Sequence, residues 1–238
     1  MNFSVDVFVE YLFQGRFAIA AVVTLMVAVV AQGIGVGVGL MLALFSLSRF
    51  SALRGIAAAY IWIWRGTPPL VQLFLLFFGL PQLGVRLSVL QAGLIGLGLY
   101  AASYMAEIIR AGIQSIPPDQ MQAARAMGFS WLQAMRYVIL PQAFRIILPP
   151  FGNEFASMMR TTALLSVISF EELLRVTRIA INETYRVIEL YSVAAVYYLA
   201  MYTAWLLVQL WLERVAARGA APRTNARAVA AGPEHARG

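Results

Sequence analysis

Five apolar runs, at 17–45, 55–80, 87–111, 143–168 and 190–212, dominate this chain of 238 residues. Each exceeds the roughly 20 residues needed to cross the hydrocarbon core of a bilayer. Inside lipid a segment must satisfy its own backbone amides, which a helix does without outside help. The fold class that follows is an all-α integral membrane protein with five transmembrane helices. Composition agrees: 61% of residues are hydrophobic, 12% are charged and the mean hydropathy is +0.75, whereas a soluble domain is about a quarter charged. The first run is not read as a cleavable signal, because Asp6 and Glu10 stand where a basic region belongs and the run is too long for a signal core.

Several chemistries drop out at once. There is no cysteine, so disulfides, thiolate metal sites and thiol nucleophiles are absent. The single histidine, His235, sits in the polar tail, far from any apolar run. All 18 basic residues are arginine, and a phosphate-binding P-loop requires lysine. Energy for any transport must therefore come from an ion gradient or from another subunit.

An odd number of spans puts the termini on opposite sides, and arginine placement chooses between the two orientations. With the C-terminus inside, Arg49, Arg54, Arg110, Arg125, Arg136, Arg145, Arg214, Arg218, Arg223, Arg227 and Arg237 face the cytoplasm. Only Arg16, Arg86, Arg175, Arg178 and Arg186 then lie outside. The expected topology is N-out, C-in. It makes residues 1–16 an external segment, 17–212 the membrane domain and 213–238 a cytoplasmic tail rich in Ala, Arg, Gly and Pro, expected to be disordered. The tail's arginines suit membrane lipid; nucleic acid is not an expected partner.

The same topology puts a polar island, residues 114–145, in the cytoplasm. Pro117-Pro118 suits a helix start and Gly128 its left-handed end. Between them Asp119, Gln122 and Arg125 form a polar stripe, with Met121, Ala124 and Met127 on another face. Ser130 with Gln133 predicts a capping box opening a second helix, ended by Pro141 and the next span. Two readings stand: a hairpin resting on lipid or on its own bundle, or a plug for a protein groove. The first helix has Met and Ala where surface-lying helices carry Trp, Phe or Leu.

Polar residues inside the runs are the candidate pathway. Arg65 precedes Thr67, Pro68 and Pro69, and the residue pair Pro68-Pro69 predicts a kink or break in the second run, with Gln72 just beyond. Arg65 either satisfies carbonyls freed at the kink or meets substrate. In the fourth run Pro149-Pro150 predicts a break, followed by Asn153, Glu154, Ser157, Arg160 and Thr161. Spacings of four and three put Asn153, Ser157 and Arg160 on one helix face, and likewise Glu154, Ser157 and Thr161. Glu154 and Arg160 are six apart, too far for an ion pair on one straight helix, so each needs another partner: a ligand group or a neighbouring helix. The glycines at 33, 35, 37 and 39 include spacings that allow close helix contact.

The order of these elements resembles a known family. Gln122-Ala123-Ala124, then Gly128, then Val138-Ile139-Leu140-Pro141 is similar to the E-A-A…G…I-x-L-P signature of permease subunits in binding-protein-dependent ABC importers, with Gln122 for Glu and Val138 for Ile. Arg65-Gly66-Thr67-Pro68 with Gln72, and Asn153-Glu154 followed by Arg160-Thr161-Thr162, resemble the polar amino-acid uptake group, the histidine and glutamine permeases. The resemblance covers about 17–212. It implies a type I ABC importer permease fold in the bacterial inner membrane. It also implies that residues 118–128 form a coupling helix, with Gln122, Ala123, Ala124, Gly128, Leu140 and Pro141 at the ATPase contact. The implied partners are a cytoplasmic ATPase holding ATP and magnesium, an identical or homologous permease, and an external binding protein. No cofactor or metal is expected on this chain, and no catalysis. Two rivals remain, an ion-coupled secondary transporter and a membrane-embedded enzyme; the second lacks any His or Cys near the bilayer.

Overall fold

The structure, a computed structural model, describes residues 3–217. Most of the expected tail, with His235, lies outside the described residues. Among the described residues every regular element is helical.

Ser4 caps a short helix, α1 (Val5–Leu12), its hydroxyl accepting the Val7 N–H. The long α2 (Gly15–Ser46) follows. Its 32 residues reach about 48 Å at 1.5 Å per residue, enough to cross a roughly 30 Å core with tilt or a protruding end. α3 (Ser51–Gly66) and α4 (Pro69–Phe74) replace the single second run. A π-helical turn (Leu75–Gly79) and a 3-10 turn (Leu80–Leu83) extend α4, and the chain bends by 101° between α3 and this extension. The double proline explains the break: neither residue can donate a backbone hydrogen bond, and Pro69 is usable only in a first helical turn. Gln72 stitches the elbow, its amide donating to Trp64 O (2.9 Å), Thr67 O (3.1 Å) and Thr67 Oγ1 (2.7 Å).

A Ser88–Gln91 capping box opens α5 (Val89–Gln114). α5 runs parallel to α2: Gly35 abuts Ala101 and Gly39 abuts Met105. The hairpin helices α6 (Pro118–Ala126) and α7 (Trp131–Ala134) lead through a π-helical turn (Met135–Ile139) into α8 (Leu140–Thr161). α8 is antiparallel to α5, with Gly112 beside Ile147 and Gly93 beside Leu165. A 3-10 turn (Thr162–Ile168) and α9 (Leu173–Thr184) precede α10 (Val187–Ala217), which passes residue 212 and runs antiparallel to α8. By length and composition α2, α5 and α10 are candidate spans, and the bent α3–α4 unit brings the number to as many as four. The run at 143–168 is not among them. α8 has the length, about 33 Å for 22 residues, but it carries Arg145, Glu154 and Arg160.

Two expectations need correction. Pro149 and Pro150 do not break the fourth run; both lie inside a continuous α8. Lost proline donors are tolerated in a bundle when neighbouring helices hold the segment. Here α10 does so, Trp205 Nε1 donating to Gly152 O (2.8 Å) and Gln209 Nε2 to Pro149 O (3.3 Å). Nor does Pro141 end the second hairpin helix. The Leu140 N–H bonds back to Met135 O, a one-residue shift in the ladder, and Pro141 falls in the first turn of α8.

The centre of the bundle is built from small residues of α2 and α5 (Ala28, Ala31, Ala101) against Met158, Met159 and Leu165. A second cluster closes the end that holds α1 and α9, around Phe17, Leu173, Leu190 and Val193. There the buried Glu172 carboxylate accepts the Leu174 and Arg175 N–H groups and the Tyr198 hydroxyl. Burial still holds its carboxyl above the ordinary range, although those backbone bonds pull it down. Arg16–Glu183 (3.2 Å) and the Ser4 N–H to Glu189 (3.0 Å) tie the N-terminal segment to this end.

Candidate functional site

Because α8 is unbroken, the helical spacing expected for its polar residues is realised. Asn153 and Arg160 are exposed, and Glu154, Ser157 and Thr161 are half-buried, whereas Phe155, Ala156, Met158 and Met159 between them are in the core. The Thr161 hydroxyl donates to Ser157 O (2.9 Å). Glu154 and Arg160 form no ion pair among the described residues. Arg160 instead stands 6.0 Å from the Tyr202 ring on α10.

The charge that reaches Glu154 comes from the elbow. Arg65, in the last turn of α3, lies within electrostatic range of Glu154 but makes no salt bridge with it. Its guanidinium sits 4.8 Å from the Tyr104 ring centroid, a cation–π distance. Tyr100 and Tyr104, one turn apart on α5 with rings 5.0 Å apart, complete the group, Tyr100 lying within electrostatic range of Glu154. The structure thus gathers Arg65 with Glu154 beside two tyrosines. Thr67 and Gln72 serve the elbow itself, with Thr67 Oγ1 also donating to Ile63 O (2.8 Å). The tyrosines were not singled out from the sequence. Their four-residue spacing on an apolar helix was the available signal, and only the fold brings them to Glu154.

At the opposite end of α5 the hairpin has a defined shape. Gly128 has φ of 90°, and its N–H bonds to Arg125 O while the Phe129 N–H bonds to Ala124 O, the paired bonds of a Schellman cap. Ser130 and Gln133 make the reciprocal capping box. Ala124 is 1% exposed and faces the bundle, with Met121 packed inward. Gln122 and Ala123 are exposed, as are Met127 (71%) just before the Gly128 turn and Leu132 (69%) past it. Pro141 is exposed at the start of α8, and Leu140 opens sideways into a cavity. The outer surface of the hairpin therefore mixes exposed apolar side chains (Met127, Phe129, Trp131 and Leu132) with exposed polar and charged ones (Asp119, Gln122, Arg125 and Arg136), a composition suited to a contact with protein.

Replacing Gly128 with valine should disrupt this hairpin. A β-branched residue at positive φ is strained by about 1–3 kcal/mol, and space is not the obstacle, since nothing lies within 4 Å of a Cβ there. Substrate-stimulated ATPase activity of the assembled transporter should fall several-fold while yield and monodispersity of the bundle hold. Unchanged stimulation would contradict a coupling role for the turn.

Comparison with known proteins decides the family. Residues 35–218 match the family described as the binding-protein-dependent transport system inner membrane component. The chain belongs to that family. This permease is an inner-membrane transport subunit, not an enzyme; it works with a substrate-binding protein and with a separate subunit that hydrolyses ATP. The arginine transport system permease protein ArgU of Corynebacterium glutamicum is 38% identical over 95% of this chain and 76% of its own length. The probable glutamine ABC transporter permease protein GlnM of Bacillus subtilis is 36% identical over 75% of this chain and 82% of its own. Among solved structures, an amino acid ABC transporter with histidines superposes with a TM-score of 0.83 at 40% identity, covering 90% of the permease and 99% of that chain. The MetNI methionine ABC transporter in an inward facing conformation, at 21% identity and a TM-score of 0.69 over 81% of this chain and 92% of that one, agrees in fold.

Proposed function

We propose that this permease carries polar amino acids or related compounds, cationic ones among them, into the cell. The supporting observation is the set of similar permeases named for arginine, glutamine and other amino acids. The α8 face adds a chemical reason. A carboxylate with no bonded partner among the described residues, the Arg160 guanidinium, a carboxamide and hydroxyls, with Arg65 of α3 within range, suit a zwitterion, with Glu154 meeting an ammonium or guanidinium group and an arginine meeting the carboxylate. The substrate path would run along Asn153, Glu154, Ser157, Arg160 and Thr161, with Arg65 and the Thr67–Pro68–Gln72 elbow beside it.

In this reading the permease pairs with an identical or homologous permease, so that two α8 faces enclose the path. The orientation is N-out, C-in, supported by the arginine asymmetry. The α6–α7 hairpin then faces the cytoplasm and docks the ATPase through Gln122, Ala123 and the apolar residues past Gly128. ATP and magnesium stay on that partner. Gln122 offers a neutral hydrogen bond where the family's glutamate would offer a charged one. Proteoliposomes holding the permease, its ATPase and its binding protein should take up labelled arginine only when ATP is enclosed on the ATPase side. Unlabelled lysine or glutamine should compete better than leucine. ATP-independent uptake, or competition that ignores polarity, would contradict the proposal.

A further inference from the structure

Two confluent cavities lie on the side of the bundle away from the polar α8 face, of about 570 and 920 Å³. Leu40, Ile113 and Leu140 line both, so together they form one groove between α2, α5 and α8. The inner part is lined only by apolar side chains, including Val36, Phe144 and Phe151. The polar lining is confined to the outer end, at Ser48 and Arg49 in the α2–α3 turn, where Trp131 and Met135 of the hairpin form the opposite wall. Leu40, Leu44 and Phe144 are 43%, 54% and 59% exposed. Arg49 is exposed, lies 4.9 Å from the Phe50 ring and has no ion pair among the described residues. The neighbouring Arg54 is committed to the turn, donating to Ser48 O and Arg49 O (3.0 and 2.9 Å).

We propose that this groove holds one anionic glycerophospholipid, with its acyl chain along Val36–Leu40–Phe144 and its phosphate at Arg49. The dimensions agree. From Val36 to Ser46 at the end of α2 is about 15 Å at 1.5 Å per residue, and Arg49 stands three residues further on, in the turn. One leaflet is about 15 Å of hydrocarbon plus 5–8 Å of headgroup. The polarity runs the same way, apolar throughout and cationic only at the headgroup level, as in basic lipid pockets between membrane helices. Charge disfavours the other occupants. The 218–238 segment carries Arg218, Arg223, Arg227 and Arg237 against Glu234, with Val229 its one large aliphatic residue; it would bring like charge to Arg49 and little to fill an apolar cavity. A second copy would add its own Arg49 rather than an anion. Because Trp131 and Met135 wall the headgroup end, the lipid also braces the hairpin against α2.

Native mass spectrometry of the full-length permease, mixed with equal amounts of phosphatidylglycerol and phosphatidylcholine of matched chains, tests the assignment. Wild type should retain one phosphatidylglycerol in preference. Arg49→Gln, an exposed change that leaves folding intact, should reduce that preference about fivefold, the effect of one basic residue near an anionic surface. Leu40→Trp should reduce retention of both lipids by filling the cavity, with Arg86→Gln as the unaffected control. Equal retention of the two lipids by wild type, or an Arg49→Gln preference equal to wild type, would overturn the proposal. So would a Leu40→Trp variant that alters only subunit stoichiometry, which would put a second copy in the groove.

Discussion

Gly39→Leu is expected to leave little folded permease, and Gly35→Leu nearly as little. A Cβ at Gly39 would stand 2.6 Å from Met105 Cβ and 3.0 Å from the Ala102 carbonyl oxygen and the Ala106 nitrogen. At Gly35 it would meet Ala101 Cβ at 2.5 Å. The obstructing atoms are backbone or first side-chain carbons of α5, so no rotamer change relieves them. Overpacking of an ordinary core costs about 1–3 kcal/mol, and forcing apart two helices in register over several turns should exceed that. Gly33 and Gly37, two residues from each, have nothing within 4 Å. Alanine at those sites should be tolerated or should stabilise α2 by up to about 1 kcal/mol from helix propensity. Thermal melts in detergent separate the pairs. Equal sensitivity of all four glycines would refute the α2–α5 seam.

Glu154→Gln should lower uptake of cationic amino acids roughly tenfold. A hydrogen bond to a charged group contributes about 1.5–3 kcal/mol against about 0.5–1.5 for a neutral one, and the difference is near tenfold in affinity. The neutral variant keeps the shape of the side chain, and among the described residues Glu154 makes no salt bridge whose loss would strand a buried arginine. Assembly with the ATPase should therefore be normal, and uptake of neutral polar amino acids should fall less. Arg65→Gln provides the converse, since it removes a cation within electrostatic range of Glu154. Loss of assembly in Glu154→Gln would make the carboxylate a structural element. Unchanged uptake and preference would remove it from the path altogether.

Local chemistry was the legible part of this chain. The Ser130–Gln133 box, the Pro118 start and the left-handed Gly128 are decided within a few residues, and the structure has all three. The break before Pro69 was legible for the same reason. Pro149-Pro150 offers the same local signal and the opposite outcome, because the decisive partners, Trp205 and Gln209, lie more than fifty residues away. The polar face of α8 could be drawn from spacing, yet its electrostatic neighbours could not. Arg65, Tyr100 and Glu154 meet only after three separate helices pack. Ala124 shows the limit of a motif: it belongs to the conspicuous Gln-Ala-Ala stretch, but it points into the bundle, and the exposed Met127 and Leu132 beyond it present the outer surface. Composition placed the glycine row at a helix contact; only the packing tells Gly35 and Gly39 from Gly33 and Gly37.

The central claim is that the α6–α7 hairpin passes ATP-driven motion from a cytoplasmic ATPase to the α8 path. The absence of native cysteines makes a direct test available. Single cysteines at exposed Gln122, on the hairpin, and at Glu183, at the other end of the bundle, can be paired with cysteines around the cleft of the ATPase dimer subunit and treated with a short bifunctional thiol reagent in membrane vesicles. Gln122→Cys should crosslink to the ATPase, with a yield that changes when ATP is added, and Glu183→Cys should not crosslink at all. A crosslink from Glu183→Cys with none from Gln122→Cys, or a Gln122→Cys yield indifferent to ATP, would contradict the account.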